Sequence, residues 1–303
     1  MQAEAAPLWW DIPYVEEDRQ KTQFMRLHAC SAKESLATVV VIHGGYWKNQ
    51  YGLDDAYGNA GTGSLAPFFS ARGFSSVELE YRRRDHEGGG WPGTNGDILT
   101  AITHLAKLHS SPPQDADPEC KAALSSLRLD KIILLGHSAG GCMALWAAYQ
   151  QLQSSLRIAL VIAAAPVADL FRGYDMRISD EGDAVELYMK CTPVDEESKV
   201  KYREASPSSL LPLRFPTLVV YGDRDSDVPP SLIDAYVQDI RRTSPVEFLT
   251  DVVVKDADHF DIVNATSAAW TEHIIPALSK VVERVISLEA GEALKGLAHE
   301  PSG

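Results

Sequence analysis

Short apolar runs rich in β-branched residues alternate along the chain with longer segments whose apolar positions recur at three- and four-residue spacing. Residues 37–42, 74–80, 131–135, 158–163, 217–221 and 246–254 are expected strands. An edge strand is expected over 22–28, where Phe24, Arg26 and His28 alternate with Met25 and Leu27. Segments 64–72, 95–108, 139–151, 232–242 and 267–287 have the length and spacing of crossover helices. The alternation predicts an α/β fold: a mostly parallel central sheet with helices on both faces.

Two stretches break this rhythm. Residues 110–124, with Pro112, Pro113, Asp115, Asp117 and Pro118, read as a surface loop. Residues 169–212 are polar and lack a sheet-forming run, so they read as a short lid insertion or as a plain excursion of two short helices. Residues 289–303 read as a flexible tail. At 303 residues and 45% hydrophobic content, one domain with a small insertion accounts for the chain.

Charge narrows the partners. The chain carries 28 basic and 42 acidic residues, a formal charge of −14, which argues against nucleic acid and anionic membranes as ligands. The run Arg82-Arg83-Arg84 reads as a solvated strand end, with a substrate-carboxylate contact as the alternative. Cys30, Cys120, Cys142 and Cys191 lack any spacing suited to zinc or to a disulfide framework, so neither a metal site nor a disulfide is expected and all four read as buried reduced thiols. The start of the chain has no basic segment leading into an apolar core, and no stretch approaches the ~20 apolar residues of a membrane span. A soluble, cytoplasmic protein acting on a small molecule is the expectation, as a monomer or a homodimer.

The chemistry enters at Gly136-His137-Ser138-Ala139-Gly140, which follows the strand pattern 131–135 and precedes the helical pattern from Ala139. Strand, G-x-S-x-G, helix is the order of a nucleophile elbow, in which a sharp turn exposes a serine held in strained backbone geometry. Bulk two positions either side would clash, and Gly136 and Gly140 remove it. Ser138 is therefore the expected nucleophile.

A second strand, 37–42, runs into His43-Gly44-Gly45-Tyr46-Trp47. Gly44 and Gly45 would let backbone N–H groups approach a developing oxyanion, beside the N–H of Ala139. His43 precedes the nucleophile and belongs to this loop, so holding the loop by a hydrogen bond is its expected role. Of the three histidines that follow Ser138, His299 lies in the tail and His273 in a helical pattern. That leaves His259, after the run Val252-Val253-Val254, as the general base. The acid is sought after the preceding strand, in Gly222-Asp223-Arg224-Asp225-Ser226-Asp227-Val228-Pro229. Asp225 fits both the glycine and the Val-Pro, with Asp227 as second choice; the other aspartates are expected to be solvated or to cap the next helix.

With these segments placed, the chain resembles the kynurenine formamidase (arylformamidase) branch of the α/β-hydrolases. H-G-G-Tyr46-Trp47 is the most discriminating element, whereas the stretch Glu87 to Pro92 resembles hydrolases of unassigned substrate rather than the animal formamidases. The resemblance implies a cofactor-free hydrolysis of N-formyl-L-kynurenine to L-kynurenine and formate, with Ser138, Asp225 and His259 as triad. Tyr46, Trp47 and Trp91 are the expected substrate walls. A broad carboxylesterase for small acyl esters is the alternative, and a catalytically silent ligand-binding protein on the same fold is a third.

Overall fold

In the computed structural model, which describes residues 9–17, 21–54, 61–153 and 155–296, eight strands build one sheet. They are β1 (Trp9–Pro13), β2 (Phe24–His28), β3 (Thr38–Ile42), β4 (Ser75–Leu79), β5 (Ile132–His137), β6 (Ile158–Ala164), β7 (Thr217–Gly222) and β8 (Leu249–Val254). Their spatial order is β1-β2-β4-β3-β5-β6-β7-β8. β1, β2 and β4 pair antiparallel, and every neighbouring pair from β4 and β3 through to β8 is parallel. Every residue of β3, β4, β5 and β7 is buried, so both faces of the central sheet are covered. This is the α/β-hydrolase architecture.

The helices are α1 (Leu65–Ser70), α2 (Gly93–Ser110), α3 (Pro118–Ser125), α4 (Ala139–Gln150), α5 (Leu170–Asp175), α6 (Ala184–Met189), α7 (Glu196–Ala205), α8 (Pro230–Thr243), α9 (Ile275–Val285) and α10 (Leu288–Lys295). None of the described helices is long and apolar enough to cross a membrane.

Four expectations need correction. No strand is expected before residue 22, yet β1 occupies Trp9–Pro13; it is an edge strand whose Trp10 registers with Leu27, and Pro13 ends it. The expected loop 110–124 contains α3, whose N-cap Asp117 accepts the Cys120 N–H at 2.7 Å with Pro118 at the first helical position. Val246–Phe248 is a 3-10 turn entered from Pro245, so β8 begins only at Leu249. The expected tail is helical through Lys295: Ser287 caps α10, and Ala290 and Leu294 are buried. His299 and the rest of that tail lie outside the described residues, as do residues 1–8 of the N-terminal stretch.

Segment 169–212 lies between β6 and β7 and folds as α5, α6, α7 and a 3-10 turn over Pro207–Leu210. It leans on the loop after β3. Tyr188 of α6 stacks on Trp47 with centroids 4.0 Å apart, and Lys48 pairs with Glu181.

Candidate active site

β5 ends at His137 and α4 begins at Ala139, leaving Ser138 alone in the turn with φ 57° and ψ −119°. That backbone is strained for an L-residue and is held from three sides. The Ser138 N–H donates to the Ala164 carbonyl at 2.8 Å, and the Ser138 carbonyl accepts from Val167 and Cys142, each at 3.2 Å. A Cβ on Gly136 would lie 2.1 Å from the Gly140 carbonyl oxygen, and one on Gly140 would lie 2.1 Å from that of Ile42 and 2.4 Å from that of His43. Gly140 thus lets the first turn of α4 rest on the backbone leading into Gly44. Ala139 opens the helix, so its N–H has no acceptor inside it.

The loop after β3 is held from beneath. His43 is fully buried, its Nδ1 2.9 Å from the Gly44 carbonyl oxygen and its Nε2 3.3 Å from Glu80, while Tyr81 donates its hydroxyl to the His43 carbonyl at 2.8 Å. Glu80 also accepts the Leu53 N–H at 2.9 Å and pairs with Arg83. Burial pushes the Glu80 carboxyl up, but His43, Arg83 and the Leu53 N–H together outweigh it and hold the carboxyl at about 2. Arg82 binds Asp97, and the backbone N–H of Arg84 donates to the Trp47 carbonyl at 2.8 Å. Arg83 and Arg84 therefore buttress this loop and Arg82 ties the strand end to α2, so the run is not a solvated strand end. Gly45 (φ 98°), Tyr46 (φ 52°) and Trp47 (φ 56°) are all left-handed, and a Cβ on Gly45 would fall 2.4 Å from Tyr51 Cβ.

Asp225 and His259 meet at the ends of β7 and β8. Asp225 Oδ2 lies 2.7 Å from His259 Nδ1, with the Asp225 side chain fully buried and that of His259 nearly so. Gly222 makes this approach feasible, since a Cβ there would lie 2.1 Å from the Ala257 carbonyl oxygen. Asp223 does not cap the next helix: it accepts the Asp256 N–H at 2.6 Å and ties the histidine loop to β7. Asp227 accepts the Tyr46 hydroxyl through its backbone oxygen at 2.8 Å. Asp258 takes the N–H groups of Phe260 and Asp261 at 2.8 and 2.9 Å, closing the turn after His259.

His137 was not singled out by any sequence signal, being only the variable position of G-x-S-x-G. It is fully buried, donates from Nε2 to the His259 carbonyl at 2.9 Å, and packs its ring 4.3 Å from the His259 ring. Burial first, and the charge of His259 second, push its pKa well below the usual imidazole range, so it stays neutral. It joins the nucleophile turn to the base loop.

The expected substrate walls divide. Trp47 is fully buried against Tyr188 and belongs to the core. Trp91 is half-buried, meets Trp146 edge-on with centroids 5.5 Å apart, and donates its backbone N–H to the Tyr188 carbonyl at 2.8 Å. Trp146 sits two turns along α4 from Ser138, about 12 Å of axial rise. Tyr46 faces a cavity of about 220 Å³ shared with Ile178 and Asp227 between the β3 loop and the acid loop.

No curated protein matches the sequence. Among solved structures, esterase B from Lactobacillus rhamnosis superposes with a TM-score of 0.64 at 19% identity, covering 95% of this chain and 86% of that one. An esterase from the Planctomycetes species Thermogutta terrifontis gives 0.64 at 16% identity, covering 92% and 93%, and its esterase 2 has been phosphoramylated by tabun. A truncated carbohydrate esterase from gut microbiota gives 0.66 at 15% identity, covering 89% and 95%. The BD-FAE family matches residues 27–238, a span that holds Ser138 and Asp225 and stops short of His259. Matched over more than half its length and built on the α/β-hydrolase sheet, the chain belongs to the BD-FAE family.

Proposed function

We propose that the protein is a serine carboxylesterase that cleaves esters of small acyl groups through an acyl-enzyme. The observation that carries this reading is the buried Asp225–His259 pair at 2.7 Å, tied through the His259 carbonyl to His137, the residue before a serine in a strained strand-to-helix turn. Ser138 Oγ attacks the ester carbonyl carbon while its proton passes to His259 Nε2. Asp225 holds the Nδ1–H and stabilises the imidazolium. The oxyanion takes N–H groups from Ala139 and from the Gly44–Gly45 loop, a donor of this kind contributing ~3 kcal/mol to the barrier elsewhere. His259 returns the proton to the departing alkoxide, then draws one from water, which attacks the acyl carbon and releases the acid.

Support also comes from the similar structures, which are named as esterases. The narrower reading, hydrolysis of N-formylkynurenine, leaned on Tyr46 and Trp47 to narrow the acyl pocket and on Trp91 as a wall for the aryl group. Trp47 is core and Trp91 packs on Trp146, so neither indole supports it, whereas ester hydrolysis needs neither ring.

The test is kcat/KM for p-nitrophenyl acetate, butyrate and octanoate beside N-formylkynurenine, in wild type and Ser138→Ala. Turnover of the two short esters, lost in the variant, is expected. A higher kcat/KM for N-formylkynurenine than for either short ester would return the reading to a formamidase, and no serine-dependent turnover of any of them would overturn both.

A further inference from the structure

At the end of the sheet opposite Ser138 lies a cavity of about 540 Å³. β6 and β7 start beside it at Ile158 and Thr217 and run some six residues, ~20 Å, before reaching the catalytic end. Arg157, Arg214 and Arg284 all line it, and all three are exposed. Among the described residues none of the three has a carboxylate partner, although Arg26, Arg82, Arg83, Arg128, Arg172 and Arg241 all do; Arg72, which stacks over Phe68, and Arg177 lack one as well, but neither lines this cavity. In a chain with 42 acidic against 28 basic residues, acid partners are in excess, so three unmatched guanidinium groups around one concavity require a reason. A helix C-terminus accounts for Arg284, in the last turn of α9, but not for Arg157 and Arg214, which precede strands. The remaining wall is apolar where Leu152, Phe215 and Val285 contribute.

We infer that this cavity binds a small organic phosphate monoester: a dianionic head held by Arg157, Arg214 and Arg284, with an apolar body against Leu152, Phe215 and Val285. Three guanidinium forks match the acceptor oxygens and the charge of a phosphate better than those of a single carboxylate. The volume suits a small ligand. An extended polyanion is disfavoured because the surrounding molecule carries a net charge of −14.

Calorimetric titration with 1-naphthyl phosphate tests the site, using wild type, Ser138→Ala, Arg157→Gln, Arg214→Gln and Arg214→Lys. Saturable one-to-one binding to wild type and to Ser138→Ala alike is expected, which separates this site from the catalytic one. Each glutamine variant should bind at least about tenfold more weakly, the loss falling in proportion as salt rises, with Arg214→Lys intermediate. Circular dichroism and melting temperature check that the variants fold, which their exposed positions favour. Binding that is absent from wild type, unaffected by the glutamine changes, or lost in Ser138→Ala would overturn the site; 1-naphthoate binding as tightly as the phosphate would overturn the head-group assignment.

Discussion

Asp225 divides its carboxylate between two tasks: Oδ2 lies 2.7 Å from His259 Nδ1, while Oδ1 accepts the N–H groups of Asp227 and Val228 at 2.9 and 2.8 Å. In Asp225→Asn the amide oxygen can keep the two backbone donors, which turns its NH₂ toward His259. The ring must then present a bare Nδ1 and a protonated Nε2, the tautomer that cannot take a proton from Ser138. A fall in kcat of ~10⁴ is expected. Asp223→Asn and Asp227→Asn should stay within about tenfold of wild type, because an amide oxygen can still accept the Asp256 N–H and Tyr46 is bound by a backbone oxygen. Steady-state rates for the three variants settle the matter; collapse of Asp227→Asn with a near-normal Asp225→Asn would move the acid.

Ser138 carries its strain whatever its side chain does, because φ 57° with ψ −119° belongs to glycine. Ser138→Ala should lose activity ~10⁴-fold or more with no gain in stability. Ser138→Gly should be equally inactive yet more stable than the alanine variant by about 1 kcal/mol, since strain relief of ~1–3 kcal/mol exceeds the ~0.4–1 kcal/mol of added unfolded-state entropy. Urea unfolding of both variants measures the difference. A glycine variant less stable than the alanine one would mean that the turn is not strained.

Trp47 and Tyr46 are neighbours with different duties. Trp47→Ala removes a fully buried ring stacked on Tyr188, and a loss of ~3–5 kcal/mol in stability is expected. Any drop in activity would follow from that loss, so this variant cannot report on substrate preference. Tyr46→Phe deletes only the hydroxyl bonded to the Asp227 backbone oxygen, at a cost of about 1 kcal/mol. Its kinetic effect should appear in KM for bulkier leaving groups, because the ring borders the cavity beside the acid loop. Unfolding and Michaelis curves on the two variants separate the roles; equal destabilisation by both would refute the division.

Much of this was legible in the chain because period and punctuation carry it. Ile132 to Leu135 running into Gly136 could be read as a strand and a turn because a parallel strand is apolar on both faces and the turn admits only glycine where another backbone passes. Asp225 could be preferred to Asp227 because its distance from Gly222 and from Val228-Pro229 matches the usual arrangement of this fold, and the two N–H bonds to Oδ1 give the reason for that spacing. β1 does alternate, with Trp10 and Ile12 turned inward and Trp9, Asp11 and Pro13 exposed, but five residues ending in a proline make too short a period to read from the letters. α3 did leave one, Asp117-Pro118-Glu119, a cap followed by proline at the first helical turn, masked by the prolines before it. Trp47 could not be assigned from sequence, since an aromatic next to a site fills a loop or meets a substrate with the same letter. His137 and Glu80 work through partners far away in the chain, His259 and His43, which no local pattern discloses.

The same two residues set the acid response. His137 is neutral in the folded protein with its pKa depressed, so the unfolded chain binds a proton that the folded one refuses once pH falls below about 6.5. Its contribution is complete above that pH and is lost below it, by up to about 1.4 kcal/mol per pH unit. Glu80, held at about 2 against an ordinary 4.5, contributes stability that is complete above pH 4.5 and is lost as pH falls toward 2, about 3 kcal/mol in all. Stability should therefore fall in two stages on acidification, first below about 6.5 and more steeply below about 4.5. Glu80→Gln should lower stability at pH 7, since it leaves Arg83 buried without its counter-charge, and should flatten the second stage. His137→Asn should flatten the first stage and leave the second. Urea unfolding from pH 7 to pH 3 on wild type and both variants measures the slopes; a wild-type curve level between pH 6.5 and 5 would show that His137 titrates in the folded protein.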